Sequence, residues 1–200
     1  LKEKENGGFD AVFVAIGAHL AKKVNIPAQE ASKILDAVSF LKEADENSED
    51  KPLLGRRVAI YGGGNTAMDA ARTAKRLGAD EAMIIYRRDR EHMPAHEFEA
   101  DEALSEGVKI HWLSTIKNME TSSITVEKMQ VVDGKAVPTG EYETLEADSL
   151  ILALGQEADT DFLKHIEGIT FKEDGTTVEV NPSMMTGYPG IFAGGDMVPS

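Results

Sequence analysis

The 200-residue sequence predicts an α/β fold built on a parallel sheet. Three observations carry that expectation. A short apolar strand, Val58 to Tyr61, runs directly into Gly62-Gly63-Gly64. A helix with alanine along one face follows, and a second apolar strand, Ala82 to Tyr86, arrives within about 30 residues of the first.

The elements follow in order. After a polar start, Phe9 to Ala18 is a near-continuous apolar run closed by Gly17, the pattern of a buried strand in a parallel sheet. Residues Glu30 to Ala44 place Ile34, Val38 and Leu41 four and three apart, which predicts a short amphipathic helix, and the acidic stretch Glu43 to Asp50 then predicts a solvated linker. The helix after the glycines is expected to run to about Leu77, where Gly78 stops it, with Ala67, Ala70, Ala71, Ala74 and Leu77 on its inner face. The second strand ends in Arg87-Arg88-Asp89-Arg90. Glu97 to Ser105 is predicted helical and Val108 to Leu113 is predicted to be a third strand. The rhythm then changes. Ile124 to Val132 is β-rich, Asp133-Gly134 is a turn signal, and a further extended piece precedes Ala147, so a β-meander is expected here in place of another βαβ unit. Ser149 to Gly155 is a second buried strand closed by glycine, and the last 45 residues are turn-rich.

Composition narrows the function. Acidic side chains outnumber basic ones 35 to 21, for a net charge of -14, which argues against nucleic-acid or anionic-membrane partners. There is no cysteine, hence no disulfide, thiolate-ligated cluster or redox pair within these residues. The apolar stretches are too short to span a bilayer, no signal segment is read at the start, and a cytoplasmic setting is expected. The histidines show no metal-ligand pattern and no metal is expected; nor does any side chain suggest itself as an acid or base catalyst. Charge is unevenly spread. All seven arginines lie between Arg56 and Arg90, where with Lys75 they outweigh four acids by 4, leaving -18 for the rest of the chain. Arginine's planar fork matches phosphate, so the island is a candidate phosphate site; a solvated, ion-paired helix face is the alternative.

A dinucleotide pyrophosphate needs a closely approaching backbone and a helix N-terminus aimed at its charge. Gly62, Gly64 and Ala67 provide the GxGxxA spacing in a strand, turn, helix, strand context: a tight turn at Gly62, no Cβ in the way of phosphate at Gly64, close helix packing at Ala67. The end of the second strand selects between cofactors, because NAD calls for a carboxylate there and a 2′-phosphate calls for cations. Arg87 and Arg88, with Arg90, favour NADP(H), while Asp89 is the nearby acid that could serve NAD.

Gly62 to Asp69 followed by Tyr86-Arg87-Arg88-Asp89-Arg90 and Met93-Pro94-Ala95 resembles the NADPH-binding domain of the glutamate synthase small (beta) subunit-like family of flavoprotein oxidoreductases. Thr186 to Asp196, ending Ala193-Gly194-Gly195-Asp196, resembles the flavin-site motif of the wider two-dinucleotide-binding flavoprotein superfamily. The resemblance implies a Rossmann-like parallel sheet with a β-meander crossover, flanked by partial FAD-domain segments. It implies that Gly62, Gly63, Gly64, Asn65, Thr66 and Ala67 cradle the pyrophosphate and that Arg87 and Arg88, with Arg90, read the 2′-phosphate. It further implies that Gly17 and Gly155 lie where the chain crosses between domains and face the nucleotides, and that Gly195 and Asp196 meet the FAD ribitol region.

No GxGxxG precedes Phe9, and the cluster-binding cysteines of full-length relatives are absent. The expected organisation is therefore a stub of an FAD domain (1–25), a helix and acidic linker (26–50), an NADPH-binding domain (51–157) and a return segment to a truncated FAD domain (158–200). FAD is expected only in the intact protein and iron–sulfur clusters only outside this chain. Its partners would be NADPH and the remaining FAD- and cluster-binding parts of the same enzyme or a partner redox subunit. A stand-alone NADP(H)-binding or sensing module is the alternative. The isolated chain is expected to be inactive and to purify colourless; a stoichiometric flavin absorbance in the purified protein would overturn that expectation.

Overall fold

A computed structural model describes residues 6–18, 20–22, 24, 26–28, 33–45 and 52–199. The chain divides into two compact units, Lys23–Gly155 and a second formed by Leu1–Lys22 with Gln156–Ser200.

The larger unit is built on a five-stranded sheet. Its strands are β3 (Lys33–Asp36), β4 (Arg57–Tyr61), β5 (Glu81–Ile85), β6 (Lys109–His111) and β10 (Ser149–Leu152), in the spatial order β3-β10-β4-β5-β6 and parallel throughout. Alternation along each strand sorts side chains between two layers. Val58, Ile60, Ala82, Ile84 and Ile151 face the cluster formed with helices α1 (Ala37–Asp45), α2 (Asn65–Arg76) and α3 (Glu97–Ser105). Ala59, Met83, Ile85 and Leu150 face a three-stranded antiparallel sheet of β7 (Ser114–Met119), β8 (Ser123–Val132) and β9 (Lys135–Glu146). The expected meander thus forms the second cover of the sheet and carries the chain from β6 back to β10, beside the central strand β4. Helix α2 presents Ala67, Ala70, Ala71 and Ala74, all fully buried, to β4 and β5. Small side chains let its axis come close; larger ones there would overpack the layer at a cost of about 1–3 kcal/mol each.

The helix expected over Glu30 to Ala44 is corrected. Lys33–Asp36 is a strand pairing with β10, and helix begins only at Ala37. Ile34 and Leu35 point to opposite faces of the sheet, packing in the two separate clusters, so a period-2 demand outweighed the spacing of Ile34, Val38 and Leu41. Residues 30–32 of that segment, and 46–50 of the acidic linker, lie outside the described residues.

The smaller unit pairs β1 (Val12–Val14) in parallel with β12 (Ile191–Ala193) and β2 (Leu20–Ala21) against β11 (Gln156–Glu157). Its core gathers Leu163, Ile169, Val178, Ile191 and Met197. The run from Phe9 was expected to be a strand buried on both faces. It is not: Phe13 is 65% exposed, because β1 lies in a two-stranded sheet with one covered face. Among the described residues no helix is long and apolar enough to cross a membrane.

At the N-terminal end of the larger sheet, Asp148 accepts the backbone N–H groups of Arg56 and Arg57 at 2.9 and 2.8 Å and the Arg57 guanidinium at 3.1 Å. The Arg57 side chain above all, then these N–H groups, hold the Asp148 carboxyl below its ordinary range. A carboxylate with a lowered folded-state pKa contributes stability that is present above its unfolded value of about 3.9 and is lost as pH falls through the folded value. Asp148→Ala is therefore expected to lower stability by about 2 kcal/mol at pH 7. Melting curves taken at successively lower pH should show that gap closing once pH drops below the carboxylate range, and a gap independent of pH would contradict the assignment.

Candidate functional site

Strand β4 ends where three glycines have three different reasons to be there. Gly62 has φ +154° and its missing Cβ would lie 2.1 Å from the Ala153 carbonyl oxygen, the chain leaving β10. A Cβ on Gly63 would fall 2.4 Å from the Tyr86 ring. Gly64 has open space around the same position and ordinary extended dihedrals. It is the N-cap of α2, and its carbonyl accepts the N–H groups of Ala67 and Met68.

The first turn of α2 is left with free donors. Among the described residues the backbone N–H groups of Gly64, Asn65 and Thr66 meet no acceptor, and the Thr66 hydroxyl makes no hydrogen bond. These three residues are partly exposed, whereas Gly62, Gly63 and Ala67 are buried. The Asn65 side chain is used structurally: its Oδ1 accepts the His96 N–H at 3.0 Å, while the Gly63 carbonyl accepts the Ala95 N–H at 3.1 Å. The Met93-Pro94-Ala95 segment is thereby docked on the glycine loop.

The strand order puts this loop at a topological switch. From β4 the chain steps outward through α2 to β5 and through α3 to β6, then returns to lay β10 on the opposite side of β4. Parallel α/β sheets take ligands at the carboxyl ends of their strands, the end at which β4 runs into this loop. Gly155, φ +89° with open space beside it, follows β10 at that end.

Expectation and structure part company over the basic island. Arg56 pairs with Asp80, and Arg57 with Glu146 and Asp148. Arg72 pairs with Glu99, Glu102 and Glu106, and Arg76 with Glu106. Arg90, expected beside the 2′-phosphate, pairs with Asp101 of α3. The island is therefore mostly an internally neutralised surface, because α3 and the residue that follows it bring acids against Arg72 and Arg76 of α2 from 27 to 34 residues away in sequence. What remains is at the end of β5. Arg87 is exposed and has no partner among the described residues, and Arg88 Nε donates to the Tyr86 hydroxyl at 3.1 Å. Asp89, the acid that could have served NAD, is engaged with His92 at 2.6 Å.

Sequence reasoning passed over Tyr86, which it took as the last strand residue. The ring fills the space a Gly63 side chain would need and packs edge-on to Trp112 at 6.4 Å. A large aromatic with a polar tip, directly before paired arginines, was the available signal.

In the smaller unit, Gly17 (φ +67°) and Asp196 come together: a Cβ on Gly17 would lie 4.0 Å from the Asp196 carboxylate. Gly194 donates to the Val14 carbonyl at 3.0 Å, and Gly195 (φ +71°) opens a short 3₁₀ turn, Gly195–Met197, in open space. Asp196 is exposed and unpaired among the described residues. No group of three or more potential metal ligands is found among the described residues.

This architecture is that of the flavoprotein reductases built from dinucleotide-binding domains. Thioredoxin reductase of T. acidophilum superposes with a TM-score of 0.70 over 94% of this chain and 58% of its own, at 18% identity. Mycobacterium tuberculosis FprA in complex with NADPH gives 0.72 over 98% and 59%, at 19% identity. The chain belongs to the pyridine nucleotide-disulphide oxidoreductase family, whose profile matches residues 1–200. It is 37% identical over 207 residues to the NADP(+)-dependent formate dehydrogenase subunit beta of Moorella thermoacetica, covering 95% of this chain and 28% of that one. A putative glutamate synthase [NADPH] small chain of Cereibacter sphaeroides is 33% identical over 96% and 51%, and an NADPH-Fe(3+) oxidoreductase subunit beta of Geobacter sulfurreducens 31% identical over 98% and 34%. The chain thus spans about half the length of these relatives or less.

The geometry separates two glycines that look alike in sequence. Gly62→Ala meets backbone at 2.1 Å and a φ that L residues avoid, and is expected to cost about 3 kcal/mol or more. Gly64→Ala meets nothing and should remain within about 1 kcal/mol of the parent. Chemical denaturation of both variants measures the difference; equal destabilisation would refute the placement of the loop.

Proposed function

We propose that residues 51–157 are the NADP(H)-binding domain of an FAD-dependent oxidoreductase resembling the glutamate synthase small subunit. Residues 1–25 and 158–200 would then contribute to its flavin domain. The observation that carries this is the coincidence, at the carboxyl ends of the neighbouring strands β4 and β5, of an open-faced helix N-terminus with unbonded N–H groups and an unpaired arginine. That is the donor set of a dinucleotide with an extra phosphate.

The residues present fit that group. The Gly64, Asn65 and Thr66 N–H groups would receive the pyrophosphate, with the bare Gly64 allowing close approach and buried Gly62, Gly63 and Ala67 shaping the turn beneath it. Arg87 would take the 2′-phosphate with Arg88 beside it. Arg90 would act only by exchanging its Asp101 pairing. Gly17, Gly155, Gly195 and Asp196 would face the nucleotides from the strand ends, Asp196 supplying an acceptor to the FAD ribitol.

A flavin held by the intact protein would supply the hydride-accepting chemistry, and iron–sulfur clusters or a partner redox subunit outside this chain would take the electrons. The chain's own work is binding, orientation and electrostatics, and no side chain is assigned acid or base duty. The names of the relatives, subunits that use NADP(+) or NADPH, support this reading, and a cytoplasmic setting is part of the proposal.

Titration calorimetry with both nucleotides tests it. The protein should bind NADPH at least about tenfold more tightly than NADH, and Arg87→Ala/Arg88→Ala should abolish most of that difference through loss of charge-assisted contacts. Equal binding of the two nucleotides by the unaltered chain would reject the proposal.

A further inference from the structure

The end of β5 holds both kinds of group that discriminate the two nicotinamide cofactors, two arginines and a carboxylate, and a single hydrogen-bonded network determines which of them is free. Asp89 Oδ1 lies 2.6 Å from Nδ1 of His92 and accepts the His92 backbone N–H at 3.1 Å, closing a turn over Asp89 to His92. The His92 side chain is the main reason the Asp89 carboxyl sits below its ordinary range. The Tyr86 hydroxyl donates to the His92 carbonyl at 2.7 Å and accepts from Arg88 Nε at 3.1 Å. Tyr86 itself is 6% exposed, clamped between Gly63 and Trp112, so the hydroxyl is a fixed point.

The consequences for a 2′-phosphate are opposite for the two charged residues. Arg88 has its Nε committed to Tyr86, which leaves the terminal guanidinium nitrogens to bind an anion. Asp89 has its Oδ1 held within the turn. A free carboxylate beside the strand end would repel a 2′-phosphate and attract a 2′-hydroxyl, so tying it down favours the phosphorylated cofactor on both counts.

Resting on the NADP(H) reading above, we propose that Tyr86 and His92 are positioning residues for cofactor selectivity. The Tyr86 hydroxyl aims Arg88 at the 2′-phosphate, and His92 withholds Asp89 from the ribose.

The test titrates NADPH and NADH into the full chain, Tyr86→Phe, His92→Phe and His92→Phe/Asp89→Asn, with a melting temperature for each. Tyr86→Phe should weaken NADPH about fivefold and leave NADH unchanged, one anchoring hydrogen bond being lost. His92→Phe should tighten NADH about tenfold and weaken NADPH, through a carboxylate released toward the ribose. Adding Asp89→Asn should reverse both shifts, a rescue that a merely structural role for His92 would not give. A parent chain preferring NADPH whose variants all keep the parental ratio would overturn this proposal alone. A parent chain without NADPH preference would overturn the cofactor reading and this proposal with it.

Discussion

The approach of two backbones, where β4 and β10 leave the sheet side by side, governs the rest of the larger unit. The Tyr61 carbonyl takes the Ala153 N–H at 2.8 Å, and one residue later the Ala153 carbonyl occupies the place where a side chain at position 62 would be. Only glycine satisfies that contact at φ +154°. The neighbouring Gly63 yields its space to Tyr86, so strands β10, β4 and β5 all close on one short loop. Because the crowding is spent on Gly62 and Gly63, Gly64 stands clear, and α2 starts with its first N–H groups facing open space. An open helix N-terminus is thus a by-product of sheet packing.

Charge is arranged on the same plan. A chain of net charge -14 concentrates its arginines in one segment, yet the fold neutralises five of the seven by bringing against them acids from the end of β9, the turn before β10, α3 with the residue that follows it, and the loop before β5. Exposed pairs of this kind contribute little stability one by one. Their effect here is selection: five cations, Arg90 among them, are paired with acids, and Arg87 after β5 has no partner among the described residues. Tyr86 joins the two themes, since its ring shapes the loop and its hydroxyl steadies Arg88.

The two glycine-terminated apolar strands that echo each other in sequence have different surroundings. β10 lies between β3 and β4 and is buried on both faces, with Leu150 and Ile151 in separate cores. β1 has one neighbour and an exposed Phe13. Apolar runs report that a strand can be covered on both faces; which elements supply the cover is decided elsewhere in the chain.

Local sequence determined a great deal. The glycine loop, the alanine face of α2, the α3 boundaries, the meander turn at Asp133-Gly134 and the apolar core of β10 are each set by short-range chemistry, namely φ freedom, side-chain volume and hydrophobic period. Those signals are carried by adjacent residues and survive without a partner. Lys33–Asp36 shows their limit: its spacing suited a helix, but an edge position beside β10 made it a strand. The candidate site was legible as a motif and not as a state of charge. Seven arginines look equivalent in a string, and only the tertiary structure, by setting Asp80, Glu99, Asp101, Glu102, Glu106 and Asp148 against five of them and His92 against Asp89, decided which cation is left unpaired. The reason is physical: an ion pair depends on distance in space, falling off within a few ångströms in water, and spacing along the chain does not encode it.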